Sequence, residues 1–108
     1  MANPREQNRL HSLLSLLEKD PNDSFIKYGI ALEYLSIKDY SKAEEYLKLL
    51  LQNDPDYVPA YMQYAQMKAN QNKIDEAKDL FKKGIAAAQK TGDKHAAKEM
   101  EEFLDELE

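Results

Sequence analysis

Cysteine does not occur in this chain of 108 residues. Disulfides, thiolate metal sites and a cysteine nucleophile are excluded together, and the absence agrees with a reducing compartment. Glycine occurs only three times and proline four times, a scarcity that favours helices over a β-rich or disordered chain. Gly29, Gly84 and Gly92 are isolated from one another, so no glycine-rich loop can cradle a phosphate. Positive charge is short as well. The formal net charge is -5 and no run of Lys and Arg offsets it. Phosphate backbones and anionic membrane surfaces are therefore repelled, and neither nucleic acid nor membrane is an expected partner. No apolar stretch approaches membrane-spanning length. The start, Met1-Ala2-Asn3-Pro4-Arg5-Glu6-Gln7-Asn8, lacks the apolar run of a secretory leader. A cytoplasmic address is the simplest expectation.

Catalytic groups are equally scarce. His11 and His95 are the only histidines and lie at opposite ends of the chain. His95 and Glu99 fall on one helix face, but a metal needs a third and fourth ligand that the sequence does not supply. Ser12 and Ser15 sit outside any nucleophile motif. The expectation is no enzyme, no cofactor and no metal.

What the chain does have is helix-forming material. It is 43% hydrophobic and 32% charged, rich in Ala, Leu, Glu, Lys and Gln, at a length common for one domain. It also repeats. Asp20-Pro21 and Asp54-Pro55 are 34 residues apart, and the same offset carries Ala31 onto Ala65, Tyr40 onto Ile74, Ala43 onto Ala77 and Leu47 onto Phe81. Self-similarity at one period of this size is the mark of a repeat architecture.

Each unit divides into two amphipathic helices. Ile26, Ile30, Tyr34 and Ile37 make one stripe and Ala43, Tyr46, Leu47, Leu50 and Leu51 the next, with Lys38-Asp39 between them and Asp39 placed to cap the second helix. In the second unit, Tyr57, Tyr61, Tyr64, Ala65 and Lys68 precede Asn70-Gln71-Asn72-Lys73, and Ile74, Ala77, Leu80, Phe81, Gly84 and Ile85 follow it. Pro55 disfavours helix at Asp54, and Pro59 falls in a first turn. The flanks add a leucine-rich helix over residues 4–19 and a last helix over residues 93–108. Gly92 stops the helix before it, Asp93 caps it, and Ala96, Met100, Phe103, Leu104 and Leu107 share its apolar face. Its other face, with Glu99, Glu101, Glu102, Asp105, Glu106 and Glu108, reads as solvated.

These positions resemble the tetratricopeptide repeat, whose pattern over 34 residues is aromatic-x2-Leu-Gly-x2-Tyr…Ala-x3-Phe…Pro. Ile30-Ala31, Tyr34, Ala43, Leu47 and Pro55 occupy it in one unit; Tyr61, Tyr64-Ala65, Ala77 and Phe81 do so in the next. Lys27, Lys68 and Gln89 depart from it, and the two lysines are expected to lay their stems along the core with their heads in water. The resemblance implies an all-α fold: a right-handed α-solenoid of antiparallel helix hairpins, about six helices in a single domain, with repeats at residues 24–57 and 58–91 between two capping helices.

The resemblance also implies a function. Family members bind a peptide or partner protein in a groove lined by the first helix of each repeat. Here that groove would carry Phe25, Tyr28, Leu32 and Leu35, with Met62, Gln66, Ala69 and Asn70 from the second repeat. Some members clamp the C-terminal carboxylate of heat-shock chaperones with Lys and Asn side chains. This chain offers Tyr28, Leu32 and Gln63 at those places, and only Lys94 and Lys98 imitate the last pair, with Lys98 expected to pair along its helix with Glu101 and Glu102. The reading is a non-catalytic scaffold or adaptor, with self-association into a homodimer as the alternative.

Overall fold

A residue that precedes proline is pushed out of the helical region, so a helix ending at Asp20 or Asp54 must start again beyond it. The computed structural model describes residues 4–108, with side chains from residue 8 onward. Met1, Ala2 and Asn3, part of the polar start, lie outside the described residues. Six helices follow in order: α1 (Pro4–Lys19), α2 (Ser24–Ser36), α3 (Tyr40–Asn53), α4 (Val58–Asn70), α5 (Ile74–Thr91) and α6 (Lys94–Leu107). No strand forms among the described residues.

Aspartates start three of these helices by accepting from an otherwise unpaired amide. Asp23 Oδ1 accepts from the Ile26 N–H at 2.8 Å, Asp39 Oδ1 from Lys42 at 3.2 Å and Asp93 Oδ1 from Ala96 at 3.0 Å. Helix α5 has no side-chain cap, but Asp75 and Glu76 in its first turn meet the positive end of its dipole. The hairpin turn repeats as the sequence does. Lys38 and Asn72, 34 positions apart, are the two non-glycine residues with positive φ among the described residues, at 60° and 61°. The amide after each returns to the helix just ended, Asp39 to Tyr34 and Lys73 to Lys68, both at 2.9 Å. Gly92 ends α5 with φ 80°, a conformation glycine adopts without a Cβ penalty.

The chain forms two compact units that divide between Asp54 and Pro55. In the first, α2 packs against α3, and α1 lies on α2. Ile30, Ala31, Ala43, Leu47 and Leu50 have no accessible surface. The Tyr34 and Tyr46 rings stack at 5.9 Å beside them. Arg9 Nε donates to Glu33 Oε1 at 2.8 Å across α1 and α2.

In the second unit α4 packs on α5, and α5 on α6. Gly84 marks where they close up: a Cβ placed there would stand 2.5 Å from Met100 Sδ and 2.7 Å from Tyr61 Cβ. Phe81, buried, stacks on Phe103 at 5.6 Å with the rings nearly parallel. Tyr61 donates its hydroxyl to the Pro55 carbonyl at 2.7 Å. On α6 the buried pair is Ala97 and Met100, while Ala96, Phe103, Leu104 and Leu107 are half-buried.

The two lysines depart from expectation. Both are buried rather than extended into water. The Lys68 side chain is 6% exposed, and its ammonium meets Glu76 Oε2 at 3.7 Å and the Tyr64 ring at 5.8 Å. Glu76 is itself well exposed. The charge is therefore answered by a carboxylate from the next helix, a partner that the pattern along α4 alone does not reveal.

Gly84→Ala is expected to destabilise the protein: overpacking typically costs about 1–3 kcal/mol and outweighs the roughly 1 kcal/mol that alanine gains in helix propensity. At Gly29 a Cβ would meet Leu13 at an ordinary 3.4 Å, so Gly29→Ala should stabilise by about 0.5–1 kcal/mol. Urea unfolding followed by circular dichroism should move the two midpoints in opposite directions.

Burial raises the pKa of Tyr61, with Asp56 adding to the effect and Lys83 opposing it, and burial likewise raises Tyr46. A phenol raised on folding gives stability that is complete below the unfolded value near about 10 and is lost as pH climbs through the folded value. Tyr61→Phe is expected to cost about 1 kcal/mol at neutral pH, for the bond to Pro55, and to shrink the alkaline loss, as read from melting temperature against pH.

Candidate functional site

Helix α2 turns Lys27, Ile30 and Ala31 into the core of the first unit. Tyr28, Leu32 and Leu35 fall on an adjoining stripe and are half-buried. Phe25, one turn before Tyr28, is 74% exposed. The helix thus buries one face fully and leaves aromatic and aliphatic side chains part-covered on the next.

In the second unit, α4 buries Tyr61, Tyr64, Ala65, Met67 and Lys68. Met62, Gln66 and Ala69 are half-buried on the neighbouring stripe, and Asn70 is exposed. Gln66, Ala69 and Asn70 line a cleft of about 440 Å³ completed by Phe81 from α5 and by Phe103, Glu106 and Leu107 from α6. Met62, one turn earlier, is not part of that lining. A larger hollow of about 600 Å³ is lined by Asn8, Arg9, Ser12 and Leu13. All four lie on α1, so among the described residues it brings together no groups from different elements. The α4–α5–α6 cleft does: Ala69, Phe81, Phe103 and Leu107 give it an apolar lining, and Gln66, Asn70 and Glu106 give it polar groups in similar measure.

Phe103, Glu106 and Leu107 were not among the residues expected there. The signal lies in the spacing. Helices α2, α4 and α6 start at 24, 58 and 94, so the period is 34 and then 36. The longer step maps Tyr64 onto Met100 and Lys68 onto Leu104, and it sets Glu106 opposite Asn70 in the register. It arises because α5 runs on to Thr91 and stops at Gly92, where Gln89 replaces the proline of the pattern.

A family model for the tetratricopeptide repeat matches residues 34–100. The chain belongs to the tetratricopeptide repeat family. A TPR repeat-containing protein of Pseudomonas aeruginosa is 27% identical over 99 residues, which is 92% of this chain and 94% of that protein. The solution structure of a tetratricopeptide repeat domain protein from Salinibacter ruber is 29% identical with a TM-score of 0.78, covering 82% of this chain and 90% of that one. The TPR2B domain of yeast Sti1, solved as its pHsp70 complex, has a TM-score of 0.87 over 95% of this chain and 82% of that one. Its identity of 14% makes that a likeness of fold.

The family is a non-catalytic one, and TPR domains commonly mediate binding between proteins and peptides. Among the described residues, no group of three or more His, Cys, Asp and Glu side chains is placed to hold a metal ion. His11 and His95 are both exposed. No described helix is long and apolar enough to cross a membrane.

Proposed function

We propose that this TPR chain is a protein–peptide interaction module, a scaffold or adaptor, that recognises its partner with the first helix of each repeat. What supports this is the half-buried stripe on each of these helices, Tyr28, Leu32 and Leu35 on α2 and Met62, Gln66 and Ala69 on α4, the last two of which also line the α4–α5–α6 cleft. Tyr28, Leu32 and Leu35 on α2 and Met62, Gln66 and Ala69 on α4 are the proposed contact residues. They combine aromatic and adaptable apolar surface with amide hydrogen-bonding groups, the chemistry that forms hot spots without demanding one ligand shape.

The Sti1 neighbours were solved as pHsp70 and pHSP90 complexes. A carboxylate-clamping role does not transfer to this chain, because Tyr28, Leu32 and Gln63 stand where such a clamp needs Lys and Asn donors. The partner is an internal or differently terminated segment, and the module works in the cytoplasm. Affinity recovery from cell extract with the intact chain tests the reading. Tyr28→Ala combined with Met62→Ala, checked for folding by circular dichroism, is expected to weaken partner binding tenfold or more, since loss of hot-spot side chains costs about 2 kcal/mol. Recovery of the same partners by both proteins would contradict it.

Phe25 favours a second reading. A phenylalanine 74% exposed is suited to pairing between copies, which would make the chain a homodimer. On that reading, light scattering at rising concentration gives twice the monomer mass, and Phe25→Ser restores the monomer; a constant monomer mass excludes it.

A further inference from the structure

We propose that the α4–α5–α6 cleft selects cationic peptides, specifically a segment in which a bulky apolar side chain stands next to lysine or arginine. This rests on the peptide-binding reading and adds the partner's chemistry to it. The floor of the cleft is Ala69, Phe81, Phe103 and Leu107, which takes an apolar anchor. Among the described residues, its one charged lining residue is Glu106, and no basic residue lines it.

The surroundings strengthen that sign. From Glu99 to Glu108 the chain carries six carboxylates and no base. Glu102 lies one turn from Glu106 on the same side of α6, the spacing at which helix side chains are neighbours. Lys98, expected to pair with Glu101 and Glu102, makes no ion pair among the described residues, nor does any carboxylate of α6. The backbone contributes in the same direction. Asn70 is the last residue of α4 and Leu107 the last of α6, so two helix carboxyl ends, each the negative pole of its dipole, border one cleft. No basic residue stands in the last turn of α6 to offset its pole. Lys68, in the last turn of α4, is turned inward toward Glu76.

An acidic ligand, including a terminal carboxylate, meets this field as a repulsion, and a cationic one as an attraction that speeds encounter and sets orientation. The apolar floor then holds the anchor. Charge alone makes a poor site because water screens it; charge beside an apolar lining selects both features in one segment.

The test is a selection of phage-displayed random dodecapeptides on the intact chain, followed by fluorescence anisotropy of the enriched peptides. Expected are peptides pairing an aromatic or large aliphatic residue with at least two Lys or Arg. Their affinity should fall about fivefold with Glu102→Gln and Glu106→Gln together, both exposed positions that leave the fold intact, and more steeply with Ala69→Lys, which fills the cleft with a cation. Raising the salt concentration should weaken binding to the wild type more than to the double variant. Enrichment of acidic or uncharged peptides, enrichment of none, or equal binding by wild type and both variants overturns the proposal. Those outcomes leave the Tyr28 and Met62 experiment to judge the wider reading separately.

Discussion

Close approach between helix backbones is the constraint on which the rest of this protein depends. At Gly84 the gap left for α4 and α6 is smaller than one methyl group. In the first unit Ala31 and Ala43 have no accessible surface, and Ala65 and Ala77 repeat that in the second. Small residues at fixed places bring the helices together, and large ones around them, Leu47 and Phe81 above all, fill the remaining space. A side chain one size larger at any of these points pushes two helices apart and moves whatever their outer faces present.

That constraint has a functional consequence. Because α2 and α4 seat narrow stripes of Ala, Ile and Tyr against their neighbours, the adjoining stripes are left part-covered by a rigid scaffold instead of being absorbed into a core. In the second unit the same packing carries Phe103 onto Phe81 and thereby forms the floor of the cleft. Side chains on helices held this way need little rearrangement to meet a ligand, which lowers the entropic cost of any contact they make. Electrostatics then acts on a prepared surface: of the carboxylates of α6, Glu106 lines the cleft, and together they are proposed to decide which ligands approach it.

Much of this was legible in the sequence. The 34-residue offset, the Asp-Pro steps, the caps at Asp39 and Asp93 and the stop at Gly92 each have a local physical cause, so they read directly from neighbouring residues. The same pattern that marks repeats in sequence reappears as backbone geometry at Lys38 and Asn72. Features that depend on two distant helices were less accessible. The burial of Lys68 turns on Glu76, which α5 supplies, and the contribution of Phe103, Glu106 and Leu107 to the cleft turns on the two extra residues that shift α6 out of the period. Asp23, the cap of α2, follows Asn22, a residue type that caps equally well, and the backbone decides between them.

Recognition is proposed to belong to the faces of the first helices and to the cleft α4 shares with α5 and α6. Backbone amide chemical-shift mapping of the intact chain during titration with a selected cationic apolar peptide tests this most directly. The largest changes should fall on Gln66, Ala69 and Asn70 and on Glu102 to Leu107. Largest changes instead around Leu49 on α3 or Lys82 on α5, with the cleft amides unmoved, would contradict it.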